Sequence, residues 1–101
     1  MPLEFGLAKD ELVKIIEILK AYPEVERGMI FGSRALGTYK RGSDIDIALF
    51  GKHLENIVTS ISYQLNEELS LPYFFDVVDY NGLTAPELKD HIDRVGIPFF
   101  K

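Results

Sequence analysis

Residues 31–37 read Phe-Gly-Ser-Arg-Ala-Leu-Gly, and residues 43–47 read Ser-Asp-Ile-Asp-Ile. In the first segment, Gly32-Ser33 is typical of the start of a helix, because a serine side chain can cap the first backbone N–H groups. The second glycine of the segment would end that helix after one turn. These residues predict a tight turn followed by a short helix, with Ser33 as its cap and Leu36 at its end.

The second segment predicts a strand over 43–50 in which acidic and apolar residues alternate. Ile45 and Ile47 would face the core, while Asp44 and Asp46 would share the other face, roughly 6.5–7 Å apart along the backbone. Two carboxylates this close repel each other, so a bound cation would stabilise them. Oxygen ligands favour Mg²⁺ or Mn²⁺, which keep several waters and take further ligands from phosphate groups.

The Gly32-Ser33 turn also predicts a binding site for phosphate oxygens. Backbone N–H groups and a hydroxyl at a helix start can bind an anion, and a glycine lets the ligand approach the backbone closely. Arg34 adds a cation at the same edge. A phosphate site beside paired carboxylates is the combination that phosphoryl or nucleotidyl transfer requires.

A third carboxylate would complete the site, and the predicted strand over 73–80 offers two. Asp76 lies mid-strand among apolar residues, where a carboxylate is costly unless it is paired or metal-bound. Asp79 would face the other side of that strand and could be solvated near its end. We therefore choose Asp76 as the third metal ligand, with a structural pairing to an arginine as the alternative.

Hydrophobic periodicity and turn residues predict the other elements of one domain over 1–101. The expected elements are helices over 8–21, 54–65 and 84–95 and strands over 25–31 and 97–100. Thr84 and Glu87 have the spacing of a capping box at the start of the last helix. The order α-β-α-β-α-β-α-β predicts an α+β fold, with helices flanking a small mixed sheet that is at least partly parallel.

Composition excludes several classes of function. The absence of cysteine excludes disulfides, thiol nucleophiles and zinc sites with thiolate ligands. Eleven Lys+Arg and sixteen Asp+Glu give a formal net charge of −5, so strong non-specific binding to nucleic acid is not expected. Residues 28–43 nevertheless carry three cations and no acid. No apolar run would span a membrane and residues 1–4 lack signal-peptide features, so we expect a cytoplasmic protein.

Other motifs fit less well. Two glycines five residues apart have the spacing of a P-loop, but Thr38-Tyr39 stands where Lys-Ser/Thr is required. His53 and His91 lack the spacing of metal ligands, and each is interpreted as a surface histidine. Ser33 has no histidine base in a known motif, which argues against a serine hydrolase.

Gly32-Ser33, a ten-residue spacer and Asp44-x-Asp46 resemble the signature of the DNA polymerase β-like nucleotidyltransferase superfamily. The short chain and the pattern GSRAxG…SDID are similar to minimal nucleotidyltransferases. The likeness runs over nearly the whole chain and includes the strand FDVV, whose Asp76 aligns with the family's third acid. The resemblance implies the nucleotidyltransferase fold.

The resemblance also implies roles for individual residues. The nucleotide-binding residues would be Gly32, Ser33, Arg34 and Ser43, and the metal-binding and catalytic residues would be Asp44, Asp46 and Asp76. Two Mg²⁺ ions would bind these acids, ATP would be the substrate, and Asp76 would also help to deprotonate the acceptor. An acceptor hydroxyl would attack the α-phosphate, so that AMP is transferred and pyrophosphate is released.

Bacterial and archaeal members of this family are commonly antitoxins paired with a HEPN-domain toxin. The resemblance therefore implies AMP transfer to a tyrosine of such a partner, which would silence its ribonuclease. Two alternatives stay open: a binding module that neutralises its partner by complex formation, and nucleotidyl transfer to a small molecule. The lack of an acceptor-binding domain argues against the second. The sequence leaves open whether the chain forms a homo-oligomer.

Overall fold

A computed structural model describes residues 4–101. The first three residues lie outside the described part, and they belong to both the predicted domain and the segment searched for signal-peptide features. Helices and strands alternate as predicted. The elements are α1 Lys9–Lys20, β1 Val25–Phe31, α2 Ser33–Leu36, β2 Ile45–Gly51, α3 Glu55–Tyr63, β3 Phe75–Asp79, α4 Pro86–Val95 and β4 Ile97–Phe100. No helix found between residues 4 and 101 is both long and apolar enough to cross a membrane.

The four strands form one mixed sheet in the order β3-β2-β1-β4. β1 pairs antiparallel with β2 and with β4, whereas β2 and β3 run parallel. A parallel pair needs a crossover connection, and α3 supplies it, followed by a π-helical turn over Gln64–Glu68. The predicted α+β class with a small mixed sheet is confirmed.

The sheet is covered on both faces. The larger core lies against α1 and α3 and includes Ile15, Ile47 and Ile61, all fully buried. The predicted inward direction of the β2 isoleucines is therefore confirmed. A second cluster on the other face joins Ala48 of β2 to Ile92 of α4, so α4 covers part of the face that carries Asp46.

Several predicted boundaries are wrong for local reasons. Ser33 is the first residue of α2 and not its cap, because Gly32 takes the capping position without a side-chain bond. Residue 37, a glycine in the left-handed region, does end that helix as predicted. The capping box of Thr84 and Glu87 is absent, since α4 begins one residue later than it requires, with Pro86 in its first turn.

The predicted strands over 43–50 and 73–80 and the helix over 54–65 also differ from the structure. The first strand begins two residues later, at Ile45, and ends at Gly51. The second is limited to Phe75–Asp79, and the helix changes to the π-helical turn after Tyr63. Asp44 therefore lies just before β2 and not within it.

Candidate active site

Three predicted carboxylates come together where β2 and β3 begin. Asp46 of β2 and Asp76 of β3 are paired in the parallel register, so they lie side by side on one face of the sheet. Asp44, two residues before Asp46, lies close enough for its negative charge to act on Asp46. Asp44 and Asp76 are exposed and Asp46 is half-buried. The burial cost that was the reason for choosing Asp76 is therefore absent, although its predicted position beside the other acids is correct.

The electrostatics of this face are unfavourable for Asp46. Its pKa is raised, first by desolvation and then by the negative charges of Asp76 and Asp44, and His91 and Arg34 oppose this only in part. The ion pairs found in the described chain, Lys20–Glu17 and Arg94–Asp90, involve none of these three acids. The carboxylates thus repel each other without a salt-bridge partner among residues 4–101.

The donor set fits a divalent cation that shares its ligands with phosphate. Among residues 4–101, no three His, Cys, Asp or Glu side chains form a ready-made metal cluster. Mg²⁺ usually takes only one or two carboxylates and completes its coordination with water and substrate phosphates. Asp46 and Asp76 provide such a pair of oxygen ligands, and a cation would relieve their repulsion. Metal binding by these acids stays a prediction.

The turn at Gly32 lies directly against Asp46. Gly32 has a φ of +73°, and a Cβ atom there would stand 2.2 Å from Asp46 Oδ2. Only a glycine satisfies both the backbone conformation and the close approach. Ser33, the next residue in the chain, is partly buried. Nucleotide binding by these two residues stays a prediction.

Arg34 is buried, with 4% of its surface exposed, and its contacts are internal. Its guanidinium donates to the Phe5 carbonyl at 2.8 Å and to the Ser43 carbonyl at 2.7 and 3.1 Å. It also lies 5.2 Å from the ring centre of Tyr39 and 4.9 Å from that of Tyr73. Arg34 therefore joins the loop before β2 to the N-terminal segment, and its predicted nucleotide contact stays a prediction.

Ser43 closes the loop that leads to Asp44. Its Oγ accepts a hydrogen bond from the Lys40 backbone N–H at 2.8 Å, and its own N–H donates to the Lys40 carbonyl at 3.0 Å. Lys40 and Arg41 are exposed at the tip of this loop. The predicted contact of Ser43 with a nucleotide is not tested by these bonds, but they show that it shapes the loop.

Asn66 positions the start of β3, and the sequence analysis missed it. Its side-chain amide donates to the Phe75 carbonyl at 2.9 Å and accepts from the Phe75 N–H at 2.8 Å. The residue after Phe75 is Asp76, so this pair of hydrogen bonds fixes the backbone next to the third acid. An asparagine nine residues before the strand gives no signal of such a contact in the sequence.

His91 also belongs to this region, although the sequence analysis interpreted it as a surface histidine. Its Nε2 accepts a hydrogen bond from the Gly32 N–H at 3.2 Å, and its ring lies edge-on to Phe31 with centroids 6.0 Å apart. A signal was available, because His91 follows Leu88 by three residues and precedes Ile92 on the stripe predicted to be buried.

Asp79 differs from the expectation of a solvated side chain. Its Oδ1 is buried and has no hydrogen-bond partner among the described residues, and Gly82 packs closely against the same carboxylate. A pocket of about 370 Å³ lies beside it, and another of about 430 Å³ lies near Phe50. Both pockets are at the far end of β2 from Asp46. We place the candidate site at the carboxylate face, because the acids that repel one another are there.

Comparison with known proteins decides the family. Residues 13–101 match the family described as Polymerase beta, Nucleotidyltransferase. The chain belongs to this nucleotidyltransferase family. A protein of Methanocaldococcus jannaschii, named as a protein adenylyltransferase, is 43% identical over 82 residues, which cover 78% of this chain and 83% of the relative. The predicted superfamily and enzyme class are confirmed.

Solved structures agree with the fold. A toxin–antitoxin crystal structure with AMP-PNP matches with a TM-score of 0.73 and 29% identity, over 89% of this chain and 73% of that one. A complex of tri-AMPylated Shewanella oneidensis HEPN toxin with MNT antitoxin matches with a TM-score of 0.68 over 92% of this chain and 72% of that one. Its identity is 24%, so this second match shows the fold alone.

Proposed function

We propose that this nucleotidyltransferase uses Mg²⁺ and ATP to transfer AMP to a tyrosine hydroxyl of a HEPN-type toxin, and so acts as its antitoxin in the cytoplasm. The observation that carries the proposal is the side-by-side register of Asp46 and Asp76, with Asp44 adjacent. The relative named as a protein adenylyltransferase and the toxin–antitoxin structure with AMP-PNP support the choice of nucleotide and partner.

The chain's own residues account for the steps of this reaction. Asp44, Asp46 and Asp76 would hold Mg²⁺, which when bound supplies positive charge for the phosphates. Gly32 lets the triphosphate approach the backbone beside Asp46. Asp76, which is exposed, accepts the proton of the attacking hydroxyl. The hydroxyl oxygen bonds to the α-phosphorus as the bond to the pyrophosphate oxygen breaks, and pyrophosphate leaves.

The loop before β2 supports an anionic substrate. Lys40 and Arg41 are exposed four and three residues before Asp44, in a chain with a net charge of −5. Their positive charge offsets the repulsion that the acids and the acidic chain as a whole exert on a triphosphate. This cationic loop gives the approaching nucleotide a favourable path to the carboxylate face.

The test is transfer of label to a partner. The chain is mixed with Mg²⁺ and the protein encoded by the adjacent gene, which the proposal expects to be of HEPN type. One reaction contains ATP labelled at the α-phosphate, and the other contains ATP labelled at the γ-phosphate. We expect α-label alone on a tyrosine of the partner, together with release of pyrophosphate. Label from the γ-phosphate, or none, would contradict the proposal.

Matched aspartate variants separate catalysis from binding. Asp44→Asn should abolish labelling, whereas Asp90→Asn, in an exposed ion pair on α4, should leave it unchanged. Growth protection then identifies the alternative, because a binding module would neutralise its partner equally well as wild type and as Asp44→Asn. If a small hydroxylated molecule were labelled and the partner were not, the acceptor part of the proposal would be wrong.

A further inference from the structure

His91 reaches the candidate site from the far end of the sequence. It lies on α4, 59 residues after Gly32, yet its Nε2 accepts the hydrogen bond of the Gly32 N–H at 3.2 Å. An Nε2 atom that accepts this bond carries no proton of its own, so the ring supplies an acceptor at this point. The Phe31 ring, edge-on at 6.0 Å, limits the rotation of the imidazole.

Gly32, which this hydrogen bond holds in place, in turn contacts Asp46 directly. A Cβ atom on Gly32 would be 2.2 Å from Asp46 Oδ2, so the Gly32 backbone and this carboxylate are in close contact. The positive φ of Gly32 is a conformation that glycine leaves easily, because it has several others of similar energy. The bond from α4 therefore restrains a flexible residue at the point where it touches a predicted metal ligand.

The geometry points to His91 as a positioning residue that orients Asp46 through the Gly32 amide. Its role is to accept one hydrogen bond, and it does not contact the reacting atoms. This inference rests on the proposed function for its effect on transfer, but its effect on the Gly32 backbone and on metal binding can be measured without any acceptor. α4 thereby belongs to the site and not only to the core.

The ring and the accepted bond can be separated by two variants. His91→Gln keeps an acceptor and loses the ring, whereas His91→Phe keeps the ring and loses the acceptor. Amide hydrogen exchange of Gly32 by NMR should be slow in the wild type and in His91→Gln and faster in His91→Phe. Mn²⁺ affinity, measured by NMR line broadening or EPR, should fall about tenfold in His91→Phe, the size of effect seen when a residue supporting a metal ligand is removed.

Turnover gives the readout that a purely structural role would not change. His91→Phe should raise the KM for ATP with Mn²⁺ or Mg²⁺ about tenfold at unchanged KM for the acceptor, and His91→Gln should restore most of it. His53→Phe, an exposed histidine outside the site, is the control and should leave all these measurements unchanged. His91→Leu replaces His91→Phe if that variant does not fold.

Two results would overturn the inference: equal Gly32 exchange in all variants, or normal Mn²⁺ binding in His91→Phe combined with weak binding in His91→Gln. The second would show that the ring packing on Phe31 matters and the accepted bond does not. If the wild type transferred no AMP but the exchange and Mn²⁺ results were as expected, the proposed function would fail while the role of His91 would stand.

Discussion

Arg34 and Asp46 carry opposite charges on two sides of the same loop, and the protein treats them differently. Arg34 is buried, but two backbone carbonyls and two aromatic rings surround its guanidinium. Asp46 is only half-buried, but its desolvation and the negative charges of Asp76 and Asp44 raise its pKa. The difference separates a charge that the fold itself satisfies from one whose repulsion is maintained at a cost to stability and would be relieved by the cation of the proposed function.

The largest expected effect comes from removing the charge of Asp46. Asp46→Asn should lower kcat/KM for AMP transfer by about 10²–10³, the loss found when one group that stabilises transition-state charge is removed. The same variant should melt at a higher temperature than the wild type without Mg²⁺, since it removes a desolvated charge repelled by Asp44 and Asp76. A variant that is inactive and also less stable would contradict this account of the carboxylate face.

The stability gain of Asp46→Asn should depend on pH. The folded protein binds the Asp46 proton more tightly than the unfolded chain, because the pKa is raised above its ordinary value of 3.8. The wild type therefore loses folding free energy as pH rises from below 3.8 through the higher folded-state pKa, and this loss persists above it. The difference in melting temperature between the variant and the wild type should vanish in strong acid and reach a plateau towards neutral pH.

Replacing Arg34 tests the charge whose hydrogen bonds the fold itself satisfies. Arg34→Leu should lower the free energy of unfolding by about 3 kcal/mol, because the partly buried carbonyls of Phe5 and Ser43 lose their donors. Arg34→Lys should recover part of this loss, since an ammonium cannot donate to both carbonyls in the fork geometry of a guanidinium. Urea unfolding measures both variants, and a loss below 1 kcal/mol for Arg34→Leu would mean that the loop does not depend on it.

A smaller effect is expected at Asn66, which supports Asp76 without carrying charge. Asn66→Ala removes two hydrogen bonds to the Phe75 backbone and should cost about 2 kcal/mol of unfolding free energy. Asn66→Asp keeps the acceptor for the Phe75 N–H but cannot donate to the carbonyl, so its stability should lie between the two. Equal stability of all three proteins would show that solvent replaces the amide at no cost.

The smallest effect is expected at an exposed ion pair. Arg94→Ala breaks the contact with Asp90 at 2.8 Å, in which both side chains are about two-thirds exposed. Such surface pairs contribute roughly 0–1 kcal/mol, so the change in unfolding free energy should be below about 0.5 kcal/mol. This variant sets the baseline against which the Asp46 and Arg34 results are compared, and adding salt should reduce even this small difference.

The sequence was most informative where local pattern determines structure. The bounds predicted for β1 and β4, 25–31 and 97–100, match the structure because apolar runs there end at turns or helix boundaries. Asp46 was placed on the face opposite Ile45 and Ile47 because alternation in a strand is a local property. Asp76, the neighbour of Asp46 on β3, was also predicted, through the resemblance to a known family.

Contacts between distant segments could not be predicted in this way. The burial of Arg34 depends on Phe5 and Tyr73, and the role of His91 depends on how α4 packs across the sheet. The capping box failed because Pro86, a good first-turn residue, competes with it for the helix start. The contacts of Arg34 and His91 are set by tertiary packing, which residue spacing does not report.

The two hydrogen bonds between Asn66 and the Phe75 backbone lie at one edge of the sheet. β3 is an edge strand, and the N–H and carbonyl of Phe75 point away from β2. They therefore lie on the free side of β3, at which another chain could begin to pair. The amide of Asn66 already occupies both groups. At the opposite margin, β4 contains Pro98, which has no N–H to offer to an incoming strand. Each edge thus contains one position at which an incoming strand cannot form its ladder hydrogen bonds, which disfavours strand-to-strand aggregation.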